Sequence, residues 1–437
     1  MLDIKFIREN PSLVQKAAVN KGVTVDIDHL LAIDQRHREL MHDVQVLREE
    51  RNALNDQIKM NPNQWDKEGA QALKQKLERK AHDLKAVGDE LLEWLLKIPN
   101  LPKADVPIGD ESQNKVIKQV GKPTSFDFQV RDHVQLGEIL DIIDIPRASK
   151  VSGTRFAYLK NDAVLLEFAL VQYALGKLIQ EGFIPIIPPA LIKKEITDGL
   201  GYWSAGGNEN YYFVRDYEVA EKGEGQPLDL YLVGTGEHVA VSMHAGELFR
   251  VTELPKKYVI FSPCFRREAG SYGRDTRGIF RVHQFDKVEM VAFVKPEDDE
   301  KERRKMLALA EDFLSALNLP YQLVKLASGD LGFPTAETTD IETWIPSQNK
   351  YRETHSVSTT TDFRARRLNI KYLPSGKAGQ DGQEKKYVHI LNGTAFAIGR
   401  TIIAILENYQ QEDGSVVIPE VLHKYIGKSV IKPQKHS

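Results

Sequence analysis

Residues 261–289 read FSPCFRREAGSYGRDTRGIFRVHQFDKVE, and this stretch decides the fold. A short apolar strand, Tyr258 to Phe261, is predicted to run into Arg266, Arg267 and Glu268. A loop of Gly, Ser, Asp and Arg follows (270–278), then a second strand over Ile279 to Val291. Side chains alternate faces along a strand, so residues an even number apart point the same way. On that rule Arg266 and Glu268 share one face of the first strand, and Arg281, Phe285 and Glu289 share one face of the second. Arginine forks suit phosphate and carboxylate oxygens, a ring suits a base, and a carboxylate suits an ammonium, an exocyclic amine or a hydroxyl. Those are the parts for holding a nucleotide beside an amino acid. The bland alternative is a set of cross-strand ion pairs on a solvated sheet face.

Outward from the hairpin, composition sets bounds. The chain has 437 residues, 41% of them hydrophobic, enough for two or three domains. A net charge of -3 gives no global attraction to nucleic acid, so any such binding is local. The single cysteine, Cys264, excludes an intramolecular disulfide and a thiolate zinc cluster, and suits a reducing compartment; no zinc is expected. The opening MLDIKFIREN does not read as a signal peptide, and no apolar run approaches membrane-spanning length. The expectation is a cytoplasmic protein with no membrane partner.

Towards the N-terminus, Leu30, Ile33, His37, Leu40, Val44, Leu47, Arg51, Leu54 and Ile58 fall at three-four spacing, a coiled-coil seam with two polar interruptions. Asn61-Pro62-Asn63 breaks it, and it resumes as Ala70, Leu73, Leu77, Lys80, Leu84, Val87, Leu91 and Trp94 until Ile98-Pro99. Two such helices joined by a short turn pack antiparallel into an arm about 45 Å long. From pattern alone a dimerisation or spacer device is the simpler reading, with Lys59, Lys67, Lys74 and Lys76 giving modest basic character near the tip.

Towards the C-terminus, four segments stand out. Leu230 to Val233 ends at Gly234-Thr235-Gly236-Glu237, which as spacing is an ordinary turn. Glu353, Thr354, His355 and Ser356 bring a carboxylate and a hydroxyl three residues apart, oxygen ligands of the kind magnesium accepts while it bridges phosphates. Asn392-Gly393-Thr394 is predicted to end a strand and enter a helix carrying Arg400 one to two turns in. Ahead of these, a helix to about Gln180 is followed by Gly182–Pro189, a helix–strand–Pro unit.

F-R-x-E, a Gly-rich loop and G-I-F-R-V-H-Q-F-x-K-V-E together resemble motif 2 of class II aminoacyl-tRNA synthetases in the form found in seryl-tRNA synthetases. The helix–strand unit ending at Pro189 resembles motif 1, and His389 to Tyr409 resembles motif 3. The helical arm matches that family's layout. His389-Ile390-Leu391-Asn392 is not the class I HIGH signature, and no G-x-x-x-x-G-K loop is present. The resemblance implies an α+β chain: an N-terminal antiparallel two-helix coiled-coil arm over 1–110, then a class II catalytic domain over 111–437 with a mainly antiparallel sheet flanked by helices.

It further implies a serine–tRNA ligase that makes seryl-adenylate from L-serine and ATP and charges tRNA(Ser), with tRNA(Sec) as a further acceptor, working as a homodimer with Mg2+. By resemblance Arg266 and Arg400 are catalytic. Arg266, Arg267, Glu268, Arg281, Val282, Phe285, Glu353, Thr354, His355, Ser356 and Arg400 contact ATP, and Glu353 and Ser356 hold the metal. Thr235, Gly236, Glu237, Glu289 and Thr394 form the serine pocket. Two departures from the family pattern are visible: Gly236 stands where relatives carry Ala or Ser, and His355–Thr361 replaces a Ser/Cys/Asn run. The competing readings are a class II ligase with another acceptor and a non-catalytic coiled-coil scaffold.

Overall fold

The computed structural model describes residues 1–61, 65–201, 207–215, 229–269, 273, 275, 277–374 and 384–433. The turn at Pro62-Asn63, most of the 270–276 loop and the tail from 434 lie outside the described residues. The chain divides into two units, Met1–Leu101 and Pro102–Ser437. The division precedes the 110/111 boundary expected from sequence, because residues 102–110 belong physically to the second unit. Val106 packs with Val324, Leu326 and Leu331, and Lys103 Nζ bridges Asp299 at 3.0 Å and Glu337 at 3.2 Å.

The first unit holds α1 (Ile4–Glu9), α2 (Pro11–Asn20), α3 (Ile27–Met60) and α4 (Lys67–Leu96). Asp26 and Asp66 cap the long pair by accepting from the backbone N–H of His29 and Gly69, both at 2.9 Å. Leu30, Ile33, Leu40, Val44 and Leu47 on α3 are buried, as are Leu77, Val87, Leu91 and Leu95 on α4. Beyond Leu47 the seam loses burial, with Arg51 exposed and Leu54 and Ile58 half-buried. The tip end of the arm is therefore held by propensity and charge pairs more than by a core.

The second unit is built on β1 (Lys115–Val120), α5 (His133–Ile139), α6 (Asp162–Gln180), β2 (Ile184–Ile186), β3 (Lys256–Phe265), β4 (Gln284–Val294), α7 (Asp299–Ala316), β5 (Tyr321–Lys325), β6 (Glu337–Ile345), β7 (Lys350–Thr359), β8 (His389–Ala397) and α8 (Ile398–Asn408). Its eight-stranded sheet runs β1-β5-β6-β7-β8-β4-β3-β2. Every pairing is antiparallel except β2 on β3. β4 is buried on both faces. Val288, Met290, Ala292 and Val294 join the core under α6, α7 and α8, while Val291 and Phe293 face a second cluster with Val241, Leu368 and Ile390.

Two expected boundaries are corrected. Ile279–His283 is irregular, and β4 begins at Gln284. The β8 strand continues past Thr394 to Ala397, so Arg400 lies in the first turn of α8. Both shifts matter to the site.

Candidate active site

β3 ends at Phe265, so Arg266 and Glu268 lie just past it and Arg281 lies just before β4. Strand alternation therefore accounts only for Phe285 and Glu289. The other side chains converge because the two limbs keep zipping irregularly. Arg266 N–H donates to His283 O at 2.9 Å, and His283 Nδ1 lies 2.9 Å from Arg266 O. Glu268 takes a left-handed φ of 52°, and Arg281 donates to its Oε2 at 2.8 Å. The Arg266 guanidinium lies 5.3 Å from the Phe285 ring centroid and donates to Gly234 O at 3.1 Å.

Arg266, Glu268, Arg281 and Phe285 line a cavity of about 170 Å³, together with Ile279, Phe280 and Val282. β7 and α8 supply the opposite wall with Glu353, Thr354, Ser356 and Arg400. Residues three apart on a regular strand face opposite sides. Here Glu353 pairs with Glu342, and His355 with Ile341, leaving Thr354 as an extra residue. That bulge puts Glu353 and Ser356 on one face. His355 is left buried against Phe396, out of the cavity, with Nδ1 2.8 Å from Thr354 Oγ1. Burial drives its pKa down to about 4, so it is neutral.

Arg400 pairs with Glu353 Oε2 at 3.0 Å, and its guanidinium lies 4.7 Å from the Phe280 ring centroid. Desolvation within the cavity opposes ionisation of Glu353, whose side chain is only partly covered, but Arg400, Arg266 and Arg281 outweigh it and hold the carboxyl below its ordinary range. Asp340, opposite Ser356, shows the reverse. Burial first, then the charges of Glu353, Asp330 and Glu342, push its pKa well up. Arg267 is exposed and stands outside the cavity.

The remaining wall is Thr394 and Lys287, with Ala397 and Gly399. Glu289, opposite Thr394 in the β4–β8 ladder, accepts from Thr394 Oγ1 at 3.3 Å and pairs with Lys287 Nζ at 2.6 Å. All three are buried. Behind them, Glu237 starts a short helix (Glu237–Ser242), pairs with the Arg364 guanidinium and accepts from Asn392 Nδ2 at 3.1 Å. Thr235, Gly236, Glu237 and Glu289 therefore sit beside the cavity and do not line it.

A family model described as the N-terminal domain of seryl-tRNA synthetase covers residues 1–102. The class II core domain of tRNA synthetases (G, H, P, S and T) covers residues 217–409. A serine–tRNA ligase of Thermodesulfovibrio yellowstonii is 41% identical over 99% of this chain and 100% of its own. One from Thermobifida fusca is 40% identical over 99% of each. The chain belongs to the seryl-tRNA synthetase family. Among solved structures, the Pyrococcus horikoshii seryl-tRNA synthetase complexed with ATP superposes with a TM-score of 0.89 at 36% identity, each chain fully covered. The cytoplasmic serine–tRNA ligase of Naegleria fowleri in complex with AMP does so at 0.85 and 30%, over 100% of this chain and 99% of its own. The activity is serylation of tRNA(Ser), on a class II fold that uses Mg–ATP.

Both departures from the seryl-tRNA synthetase pattern have packing reasons. A Cβ on Gly236 would fall 2.6 Å from Ile260 Cγ2 and 2.7 Å from Ser262 Oγ, so this chain has no room for a side chain there. Thr359 donates to Asp299 Oδ2 at 2.6 Å and Thr360 to Ile390 O at 3.1 Å, both buried. The threonine run thus serves internal hydrogen bonds, not the cavity wall. Sequence reasoning missed Lys287, although its place two residues before Glu289 on one strand face was a usable signal. It also missed Arg364 as the partner of Glu237, a contact between segments 127 residues apart that no local pattern announces.

Proposed function

We propose that this cavity holds ATP and L-serine side by side and forms seryl-adenylate. The observation that carries the reading is the convergence of Arg266, Glu268, Arg281 and Phe285 from one hairpin with Glu353, Ser356 and Arg400 from β7 and α8. Phe285 stacks on the adenine and Glu268 accepts from its amino group. Arg281 and Arg400 exchange their carboxylate partners for the outer phosphates. Arg266 bridges the serine carboxylate and the α-phosphate. The carboxylate oxygen bonds to the α-phosphorus as the bond to the bridging oxygen breaks and pyrophosphate leaves. A ribose hydroxyl at the tRNA end then attacks the seryl carbonyl carbon, losing its proton as AMP departs. Positioning and charge stabilisation suffice for both steps.

Glu353 and Ser356 would hold magnesium. A carboxylate and a hydroxyl brought to one face by the bulge are hard oxygen donors, and they leave positions for phosphate and water oxygens. The ion supplies neutralisation of phosphate charge. Thr394 on the cavity wall bonds the serine hydroxyl, together with Glu289 directly behind it, reached past Thr394 at the cavity's edge, which makes alanine costly because it leaves them unpaired. Threonine is refused by the bulk of its methyl group.

The outer face of α6 supports a homodimer, since Leu165, Phe168 and Ile179 are exposed alongside Tyr158, Ile184 and Ile187. The arm, with Lys59, Lys67, Lys74 and Lys76 exposed, holds the long variable arm of tRNA(Ser), and tRNA(Sec) is a second acceptor. The work is cytoplasmic, as it is for the cytoplasmic serine–tRNA ligase of Naegleria fowleri. The test is serine-dependent exchange of pyrophosphate into ATP with magnesium, followed by charging of tRNA(Ser) and tRNA(Sec) transcripts. Exchange with serine and charging of both is expected. Exchange with a different amino acid, or none, overturns the assignment of the pocket.

A further inference from the structure

The cavity wall at Ile279–Phe280 is irregular backbone, yet it carries the ring against which two arginines rest. Phe280 lies 4.0 Å from the Arg352 guanidinium and 4.7 Å from that of Arg400, and its carbonyl accepts from Arg400 Nε at 3.4 Å. No ladder holds this segment. What does hold it begins on the far side of the wall, at His133, the first residue of α5.

Asp132 caps α5, accepting from Val134 and Gln135 N–H at 3.0 and 2.9 Å, while Gln135 Oε1 accepts from Asp132 N–H at 3.0 Å. The cap fixes the buried His133 in place. Glu407, wholly buried on α8, then accepts twice through Oε1, from His133 N–H and from Nδ1–H, each at 3.0 Å. Its Oε2 accepts from Ser347 N–H at 3.1 Å in the turn between β6 and β7. A carboxylate has only acceptors, so Nδ1 must carry the proton and Nε2 must accept. Nε2 accepts from Ile279 N–H at 3.3 Å. The approach is so close that a Cβ on Gly278, at φ +84°, would sit 2.0 Å from Nε2.

We propose that His133 is a positioning residue for the phosphate side of the cavity. Glu407 sets its tautomer, and its Nε2 anchors the Ile279–Phe280 backbone, which in turn seats Arg400 and Arg352. The same carboxylate fixes α5, the β6–β7 turn and the helix that bears Arg400, so one buried group registers three parts of the wall. This rests on the reading of the cavity as the ATP site.

The experiment compares His133→Asn, His133→Gln, Phe280→Ala and the His133→Asn/Phe280→Ala double variant with the wild-type chain. Asn places an amide near Nδ1, keeping the bond to Glu407 and losing the acceptor for Ile279. Gln reaches the position of Nε2 and restores an acceptor. ATP binding is measured directly by equilibrium dialysis with Mg–ATP and no amino acid, alongside KM for ATP and for serine in pyrophosphate exchange, and Tm. His133→Asn should weaken ATP by about tenfold, the factor that one buried unmade hydrogen bond of roughly 1.4 kcal/mol carries, and Phe280→Ala by a comparable factor through the lost ring seat of the two arginines. KM for serine should stay within about twofold, Gln should recover most of the loss, and the double variant should not add. Equal losses for ATP and serine that track Tm, or ATP binding unchanged in His133→Asn, overturn the proposal. Wild-type protein that binds no ATP instead overturns the cavity reading on which it rests.

Discussion

On the more open side of the cavity, Arg281, Arg400 and Glu353 keep 28%, 21% and 48% of their side-chain surface in solvent. Arg400 is neutralised by Glu353 and Arg281 by Glu268, in pairs at the rim. On the Thr394 side, Glu289 and Lys287 keep 2% and 9%, and the hydrogen bond to Thr394 is already made. The first arrangement suits a charged ligand that replaces the resident partner, since an exposed ion pair is worth little to break. The second suits a small neutral group that must match bonds fixed in advance, since a buried polar group left unpaired is expensive. One side stores charge to be exchanged, and the other stores geometry.

The largest expected effect lies on the open side. Arg400→Ala should lower kcat for serine-dependent exchange by about 10²–10³, the scale of losing a charge-stabilising donor, with KM for serine little changed. Next comes the buried side. Glu289→Gln should raise KM for serine by about 10², from the loss of a charged partner in a buried network, while Mg–ATP binding stays as in the wild type. Glu289→Ala is the harsher change, because it strands the Lys287 ammonium in the interior at a cost of about 3 kcal/mol or more, visible in the Tm. If Glu289→Gln weakened both substrates equally, the two sides would not be separate devices.

A smaller effect tests the packing beneath the buried side. Gly236→Ala should destabilise the second unit by about 1–3 kcal/mol in denaturant unfolding, because Ile260 and Ser262 must move. A pH-dependent effect sharpens the contrast in charge environments. Glu167 on α6 has, among the described residues, no arginine in the role that Arg400 plays for Glu353. Burial, helped by Asp286, pushes its pKa up to about 8. The folded chain then holds a proton that the unfolded chain releases above pH 4.5, so stability falls as pH rises from about 4.5 to about 8 and levels off beyond. The Tm advantage of Glu167→Gln over wild type should grow across that window and stay flat above it.

Much of this was legible before any coordinates. The seam of α3 and α4 is written in three-four spacing because those helices bury one stripe, and burial along it fades towards the tip, from Arg51 on α3 and at Ala70 and Leu73 on α4. The hairpin residues were legible as chemistry but not as geometry. Alternation assigned Arg281 to a strand that starts only at Gln284, and Arg266 to one that ends at Phe265. The convergence depends on the Arg266–His283 backbone pairing and the left-handed Glu268, which have no period to read. Glu353 and Ser356 were paired by motif, yet their spacing argues against a shared face until the bulge at Thr354 is seen. Long-range partners such as Arg364 for Glu237 and Glu407 for His133 were invisible, since each pair meets only when the sheet has formed.

The most direct test of the two-sided account is amino-acid selectivity in pyrophosphate exchange, measured as kcat/KM for serine, threonine, alanine and glycine in wild type and Glu289→Gln. The account predicts that wild type prefers serine to alanine by about 10⁴ or more, and that Glu289→Gln loses much of this preference while KM for ATP is unchanged. Alanine exchanging as well as serine in the wild type, or a variant that keeps the full preference, would contradict it.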